Sequence, residues 1–160
     1  MTALEDRVAA LERTVAELVQ APAALPVEHD LWVLDELRRR HPEGAVVFAG
    51  TAAVGKGEVA WQWGAVTEEL RETDWTPAAG VFDALAHPVR LRLLQRVLNG
   101  SDSTAELSLD ESMGTTGQLH HHLRALVAAG WLVSTSRGRW AIPPQRVVPL
   151  LVVVSAGTSR

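Results

Sequence analysis

The 160-residue sequence contains no cysteine. The chain can therefore form neither a disulfide nor a thiolate metal site, and this composition fits a reducing compartment such as the cytoplasm. No secretory signal peptide is expected, because Glu5 and Asp6 interrupt any apolar core at the N-terminus. The apolar run from Val147 to Ala156 is interrupted by Pro149 and is too short to span a bilayer. We therefore predict a cytoplasmic protein without a membrane partner.

Lysine is absent from residues 75–160, where eight arginines supply the basic charge. The whole chain has a net charge of −4, yet residues 1–74 hold 7 basic and 14 acidic side chains, whereas residues 75–160 hold 8 and 5. Planar guanidinium groups suit bidentate contacts with phosphate or guanine, although high-GC codon usage gives the same arginine bias without any function. The basic half of the chain is thus the C-terminal one.

Residues 1–20 show the apolar spacing of a coiled coil. Apolar side chains alternate at intervals of four and three residues, at Leu4, Val8, Leu11, Val15 and Leu18. Valine at the a positions and leucine at the d positions favour a parallel two-stranded coil. We predict that this helix pairs with a second copy of the chain. The alternative is an amphipathic helix docked on its own subunit, since fewer than three heptads cannot dimerise strongly alone.

Residues 21–27 predict a linker, because the two prolines there lack the backbone donor that a helix interior needs. A separate module over residues 28–74 follows. It begins with a short helix over residues 31–40, which Asp30 is placed to cap. Three roles for the module stay open at this stage: binding a small organic ligand, binding a protein, or extending a dimer.

The rest of that module predicts a β-hairpin. Residues 45–54 and 58–65 are β-prone, and the glycine-rich turn between them suits a hairpin connection. Trp61 and Trp63 share one face of the second strand, because side chains alternate with a period of two. That face covers either a partner or the hairpin's own packing surface, and we favour packing, since a two-stranded hairpin is marginally stable alone.

Residues 75–160 are predicted to form one mainly helical domain. Its apolar stripes break at His87-Pro88, the expected junction of two helices with Pro88 in the first turn of the second. The elements expected next are a short helix over 104–109, a longer helix over 115–129, strands at 131–134 and 139–142, and an apolar terminal helix that begins near Pro144 or one turn later at Pro149. The predicted fold class is therefore α+β, mainly α with β-hairpins.

The helix predicted over residues 115–129 has one apolar and one polar face. Leu119, Leu123 and Leu126 recur at helical spacing and are expected to pack against the domain. Thr115 is placed to cap the start of the helix, and Gly130 to end it. The polar face is left free to contact a ligand.

Four stretches of this domain are similar to the ArsR family of bacterial transcriptional regulators. They are LAHPVRLRLLQRVL at 85–98, TAEL at 104–107, TTGQLHHHLRALVAAGWL at 115–132 and the RGRW wing at 137–140. The resemblance covers residues 77–156 and implies a winged helix-turn-helix. Members of this family bind operator DNA as homodimers and commonly repress transcription, releasing the DNA when an effector binds. We accordingly expect a homodimeric repressor whose partners are double-stranded operator DNA and a second copy of the chain.

The resemblance also implies which residues contact DNA. The helix over 115–129 would read the major groove, and the wing over 134–140 would contact the backbone or the minor groove. The residues expected to bind DNA are Thr115, Thr116, Gln118, His120, His121, Arg124, Arg137 and Arg139. Among them Gln118 can pair bidentately with adenine, and Arg124 is placed to hold a phosphate.

Other polar side chains of this domain have less specific expectations. His122 is expected to pack against the helix-turn-helix core. Arg90, Arg92 and Arg96 form either a solvated helix face or further phosphate contacts. Three successive histidines resemble a metal site, but neighbouring helical residues diverge by about 100° and cannot easily share one ion.

The terminal helix bears on dimerisation and on the effector. Val147, Leu150 and Leu151 are expected to form a dimer seam with the helix at 77–86. Many ArsR-like proteins sense metals through cysteines near the recognition helix, or through histidine and acidic residues on the terminal helix. This chain has neither set, so we expect no metal site and no cofactor. The effector would then be a small molecule or a protein.

An enzyme is not expected, because the sequence contains no recognisable Ser/His/Asp arrangement, phosphate loop or pair of catalytic acids. The alternative to DNA binding is a protein-interaction module built on a winged-helix scaffold. In that case the acidic N-terminal half would be the working surface.

Overall fold

A computed structural model describes residues 7, 8, 10, 31–55 and 57–158 of the chain. These residues form an α+β structure with two compact units, residues 1–42 and residues 43–160. Val8 is helical, and its side chain is 46% exposed. The other four positions of the predicted coiled-coil seam lie outside the described residues: Leu4, Leu11, Val15 and Leu18. The N-terminal coiled coil therefore stays a prediction.

The first unit contains one described helix of substantial length, α1 (Trp32–Arg40). Leu31 occupies its cap position without a side-chain hydrogen bond, and the predicted cap, Asp30, lies outside the described residues. Glu36 accepts hydrogen bonds from Arg39 and Arg40, which lower the pKa of its carboxyl to about 2. A helix of this length is only marginally stable by itself. These ion pairs between successive turns add only a little to its stability.

The second unit begins with the predicted hairpin, β1 (Ala45–Val54) and β2 (Gly57–Val66). The strands are antiparallel and pair from Ala45 with Val66 to Val54 with Gly57, so Phe48 lies opposite Trp63. These two rings stack with their centroids 5.5 Å apart. A helix that the sequence analysis missed, α2 (Thr67–Glu72), follows at once. Glu68 and Glu69 lie in its first turn, where negative side chains stabilise a helix by interacting with its dipole.

The hairpin packs on the C-terminal helix, α7 (Pro144–Thr158). Val148 of that helix is 2% exposed, and a Cβ placed on Gly50 would lie only 3.2 Å from one of its methyl groups. The hairpin therefore shares a core with the final helix, although the sequence analysis placed a domain boundary between them at residues 74/75. The compact units instead divide between Pro42 and Glu43.

The middle of the chain is helical, as predicted. A 3-10 turn, Thr76–Ala78, leads into α3 (Ala79–Leu85), α4 (Pro88–Leu98), α5 (Thr104–Leu107), a second 3-10 turn, Glu111–Met113, and α6 (Thr116–Ala128). His87 caps α4 by accepting a hydrogen bond from the backbone N–H of Val89, which confirms the junction at His87-Pro88. Helix α5 ends two residues earlier than expected.

A second hairpin joins α6 to α7. Its first strand, β3 (Val133–Ser136), begins and ends two residues later than predicted, because Trp131 and Leu132 turn into the core. Its second strand, β4 (Arg139–Ala141), ends one residue earlier than predicted. Helix α7 starts at Pro144, the first of the two expected starts, and carries Pro149 inside. None of the described helices is long and apolar enough to cross a membrane.

The core of the second unit lies between α4, α6, α7 and the loops that join them. Its largest fully buried side chains are Trp131, Leu93, Leu94, Leu107, Met113, Leu119, Leu123, Leu126, Leu132 and Val147. Val147 is 0% and Leu150 is 4% exposed within this one chain, whereas Leu151 is 40% exposed. The assignment of Val147 and Leu150 to a dimer seam is thus corrected: the hydrophobic effect already buries both in their own subunit.

Candidate nucleic-acid interface

The start of α6 is held by a reciprocal capping box. The Thr115 hydroxyl accepts a hydrogen bond from the backbone N–H of Gln118 at 3.3 Å, and the Gln118 side-chain oxygen accepts one from the backbone N–H of Thr115 at 2.8 Å. Gly114 precedes the cap with a φ of +76°, a conformation that side chains with a Cβ rarely adopt. The predicted cap at Thr115 is therefore confirmed, and it occupies two backbone donors of the helix terminus.

The same box bears on the base contact predicted for Gln118, which stays a prediction. Bidentate pairing with adenine uses the amide oxygen as an acceptor and the amide nitrogen as a donor. In the structure the Gln118 oxygen already accepts a hydrogen bond from the backbone N–H of Thr115, which fixes the direction of the side chain. Gln118 therefore positions the helix start, while the second lone pair of its oxygen and its amide nitrogen are left for an outside ligand.

The polar face of α6 is open to solvent. Thr116, His120, His121 and Arg124 are all exposed, and they follow the helical repeat away from the buried leucines. Among the described residues, Arg124 has no hydrogen-bond or ion-pair partner. This face therefore offers one uncompensated cation and several polar groups to a ligand.

His122 faces the opposite way. Its ring lies 4.5 Å from the ring of His87 and 5.6 Å from that of His121, and its Nδ1 is buried without a partner among the described residues. Burial, followed by the nearby positive charges of His87, His121 and Arg90, lowers the pKa of His122 below its ordinary value of 6.5. The side chain is thus held neutral between α4 and α6, in keeping with the packing role expected for it.

This neutral imidazole predicts a pH dependence of stability. Because the pKa of His122 is lower in the folded state, the unfolded chain binds the proton first, and the free energy of unfolding should fall as the pH drops below about 6.5. His122→Leu should weaken this fall, as measured by urea denaturation at about pH 7.5 and about pH 5. The exposed neighbour provides the control variant, His120→Asn. A His122→Leu profile parallel to that of the native chain would refute the assignment.

The turn before α6 is a polar cluster that the sequence analysis did not find. The Asp110 carboxylate accepts hydrogen bonds from the backbone N–H and the hydroxyl of Ser112, at 3.1 and 2.5 Å. Arg92 and Arg96 of α4 reach the same carboxylate at 3.6 and 3.5 Å, and Arg92 also donates to the Ser112 hydroxyl at 3.0 Å. The hydrogen bonds from Ser112, with the two arginines, lower the pKa of Asp110. An aspartate two residues before a serine is a turn signal that could have indicated this cluster.

These contacts separate the three arginines of α4. Arg92 and Arg96 are tied to the turn before α6, so neither forms the purely solvated face that was one expectation. Arg90 is mostly buried and donates to the backbone oxygen of Asp83 at 2.6 Å. Through these arginines, α4 is bound both to α3 and to the turn before α6.

The second hairpin is attached to the start of α5. The backbone N–H of Thr104 donates to the oxygen of Gly138 at 2.8 Å, and that of Trp140 donates to the oxygen of Asp102 at 2.8 Å. The indole N–H of Trp140 donates to the Thr104 hydroxyl at 2.9 Å. These three hydrogen bonds connect the hairpin with residues more than thirty positions earlier in the chain. They fix the position of the hairpin relative to the start of α5.

Two arginines of that hairpin have different surroundings. Arg139 forms an ion pair with Asp102, so this predicted DNA contact is already compensated in the folded chain. Arg137, at the tip beside Gly138, is exposed and has no charged partner within the described part of the chain. The free cations of the predicted set are therefore Arg124 on the helix and Arg137 on the hairpin.

Two further observations concern metal ligands near this surface and proteins similar to this chain. Within the ranges that the structure describes, no three His, Asp or Glu side chains are grouped closely enough to hold a metal ion. Comparison with protein-family models, curated proteins and solved structures gives no match. What the surface can do follows from its own geometry: a capped helix and a hairpin tip each present one free guanidinium.

Proposed function

We propose that this chain is a homodimeric transcriptional repressor of the winged helix-turn-helix type, acting in the cytoplasm on double-stranded operator DNA. In this proposal α5 and α6 are the helix-turn-helix, and the β3–β4 hairpin is the wing. Helix α6 enters the major groove with its capped N-terminus leading, and the hairpin tip follows the neighbouring backbone or minor groove.

One observation carries the proposal. Arg124 and Arg137 are the two arginines of the predicted set that the described fold leaves exposed and unpaired, whereas Arg139 is compensated by Asp102. An exposed guanidinium that the fold does not neutralise is available for a phosphate, and phosphate contacts dominate the affinity of a protein for DNA. Thr116, His120 and His121 lie on the same open helix face and would supply the contacts with base edges.

The test is selection of genomic fragments by the native protein, followed by titration of the selected site at several salt concentrations. Each of Arg124→Ala and Arg137→Ala should weaken binding and lower the magnitude of the salt slope by about 1, because each removes one phosphate contact. Arg71→Ala is the matched control, since Arg71 is an exposed arginine of the same compact unit on a helix outside the interface. A native protein that selects no preferred sequence would refute the proposal.

A protein-interaction function is the second candidate. Trp61 and Trp63 are 38% and 40% exposed although they lie on the face of the hairpin that packs against α7. Large aromatic side chains that stay partly exposed are typical of protein-binding surfaces. If fragment selection fails and Trp61→Ala abolishes binding to a protein partner, this second candidate replaces the first.

A further inference from the structure

A groove of about 690 Å³ lies between α4 and α7, away from the DNA-facing side of α6. Most of its wall is aliphatic, and its polar side chains come from α4 and from Asn99, which follows that helix. The side chains that matter here are Leu91, Leu98, Leu151 and Val154 on the apolar wall and Arg92 and Gln95 on the polar side. Its volume falls within the range of about 300–1,000 Å³ that is usual for small-molecule sites.

The charge of the groove selects among ligands. Among the described residues that line it, Arg92 is the one charged side chain, and no carboxylate is present. An apolar wall with a single arginine among its lining residues is complementary to a molecule that has an apolar body and one anionic end. A cationic amphiphile of the same shape would be repelled.

Arg92 also connects the groove to the turn before α6. Arg92 is a lining residue of the groove, and its guanidinium donates to the Ser112 hydroxyl at 3.0 Å and lies 3.6 Å from the Asp110 carboxylate. Ser112 stands three residues before the cap at Thr115. A ligand anion that binds Arg92 competes directly with this turn, while Arg96, at 3.5 Å from Asp110, still compensates the carboxylate that Arg92 leaves.

We propose that the groove between α4 and α7 binds an amphipathic carboxylic acid, and that binding draws Arg92 away from the turn before α6. The site itself does not depend on the proposed function, whereas the release of DNA that this movement would cause rests on it. The effector would thus act through the start of α6, with no ligand at the DNA surface.

Binding is tested first without DNA. Isothermal titration calorimetry of the native chain with decanoate and with 2-naphthoate, below any micellar concentration, should show saturable binding by at least one of them. Decyltrimethylammonium, which has a similar chain and the opposite charge, should not bind. Arg92→Gln should weaken the carboxylate about tenfold, because a hydrogen bond to a charged group is lost. Leu151→Trp should block it by filling the groove.

The same samples serve for a control variant and for a test of whether ligand binding affects the start of α6. Val46→Ala removes an exposed aliphatic side chain of β1 outside the groove and should leave binding unchanged. Amide hydrogen exchange at residues 112–115 should accelerate when the carboxylate binds, since the Arg92 contact with Ser112 is lost. Operator release is measured last, so that a failure of DNA binding leaves the calorimetric result intact.

Two results would overturn the proposal. The first is that neither carboxylate binds the native chain; if sedimentation then shows a dimer that Leu151→Arg converts to a monomer, the groove is covered by a second copy of the chain. The second is that the cationic amphiphile binds as tightly as decanoate, or that Arg92→Gln leaves the affinity unchanged.

Discussion

Replacement of Trp131 by alanine is expected to lower the free energy of unfolding by about 3–5 kcal/mol, the range usual for a buried tryptophan. The side chain is 2% exposed, and its indole N–H donates to the backbone oxygen of Val81 at 3.0 Å. The Arg146 guanidinium lies over the ring at 5.0 Å from its centroid. Alanine would therefore leave a cavity and an acceptor without its donor, in a domain whose total stability is on the order of 5–15 kcal/mol.

The measurement is urea denaturation followed by circular dichroism, because tryptophan fluorescence would change with the substitution itself. Trp131→Phe keeps most of the apolar volume but loses the N–H donor, so its expected cost is smaller, about 1–3 kcal/mol, and it remains measurable if the alanine variant fails to fold. Trp75→Ala is the matched control, since Trp75 is 70% exposed. A Trp131→Ala variant no less stable than Trp75→Ala would contradict the central position given to Trp131.

Gly114→Ala is expected to cost about 2–4 kcal/mol of stability and to weaken the proposed DNA binding at the same time. Gly114 has φ +76° and ψ −153°, a region that is almost confined to glycine. A Cβ there would overlap the Gln118 side-chain oxygen, so Gln118 would have to move and release the backbone N–H of Thr115. Backbone strain and loss of the cap therefore add at the start of α6.

The same helix provides the control for this prediction. Gly117 lies inside α6 and a Cβ there would meet nothing closer than the Thr115 hydroxyl at 4.0 Å, so Gly117→Ala should stabilise the helix by a few tenths to about 1 kcal/mol. Urea denaturation gives the stability of both variants, and hydrogen exchange of the Thr115 amide reports the cap directly. If Gly114→Ala is as stable as Gly117→Ala, the positive φ at Gly114 is not a requirement of the fold.

Together these two sites show how the core and the polar face of α6 depend on each other. Trp131 anchors the end of α6 to α3 through Val81, while Gly114 and the capping box define its start. The turn at Asp110 and Ser112 then ties that start to α4 through Arg92 and Arg96. A substitution at either end of α6 should therefore change the position of the exposed residues along the helix.

The sequence by itself determined the features that depend on residues within about four positions of one another. The cap at Thr115, the helix junction at His87-Pro88, the glycine that ends α6 and the turn of the first hairpin all belong to this class, because their hydrogen bonds are local. The apolar faces of α4 and α6 could be read from the helical repeat for the same reason. The absence of cysteine likewise excluded thiolate chemistry without any structure.

The tertiary structure decided which of these local pieces meet. The Arg139 guanidinium finds Asp102 thirty-seven positions away, the Trp131 indole finds Val81 fifty positions away, and neither pairing leaves a mark in the local pattern. The amphipathic pattern of α7 showed an apolar helix, but only packing showed that the first hairpin covers Val148 while Leu151 stays exposed. Sequence patterns specify the apolar or polar character of a face, whereas the long-range contacts that bury it depend on how distant elements pack.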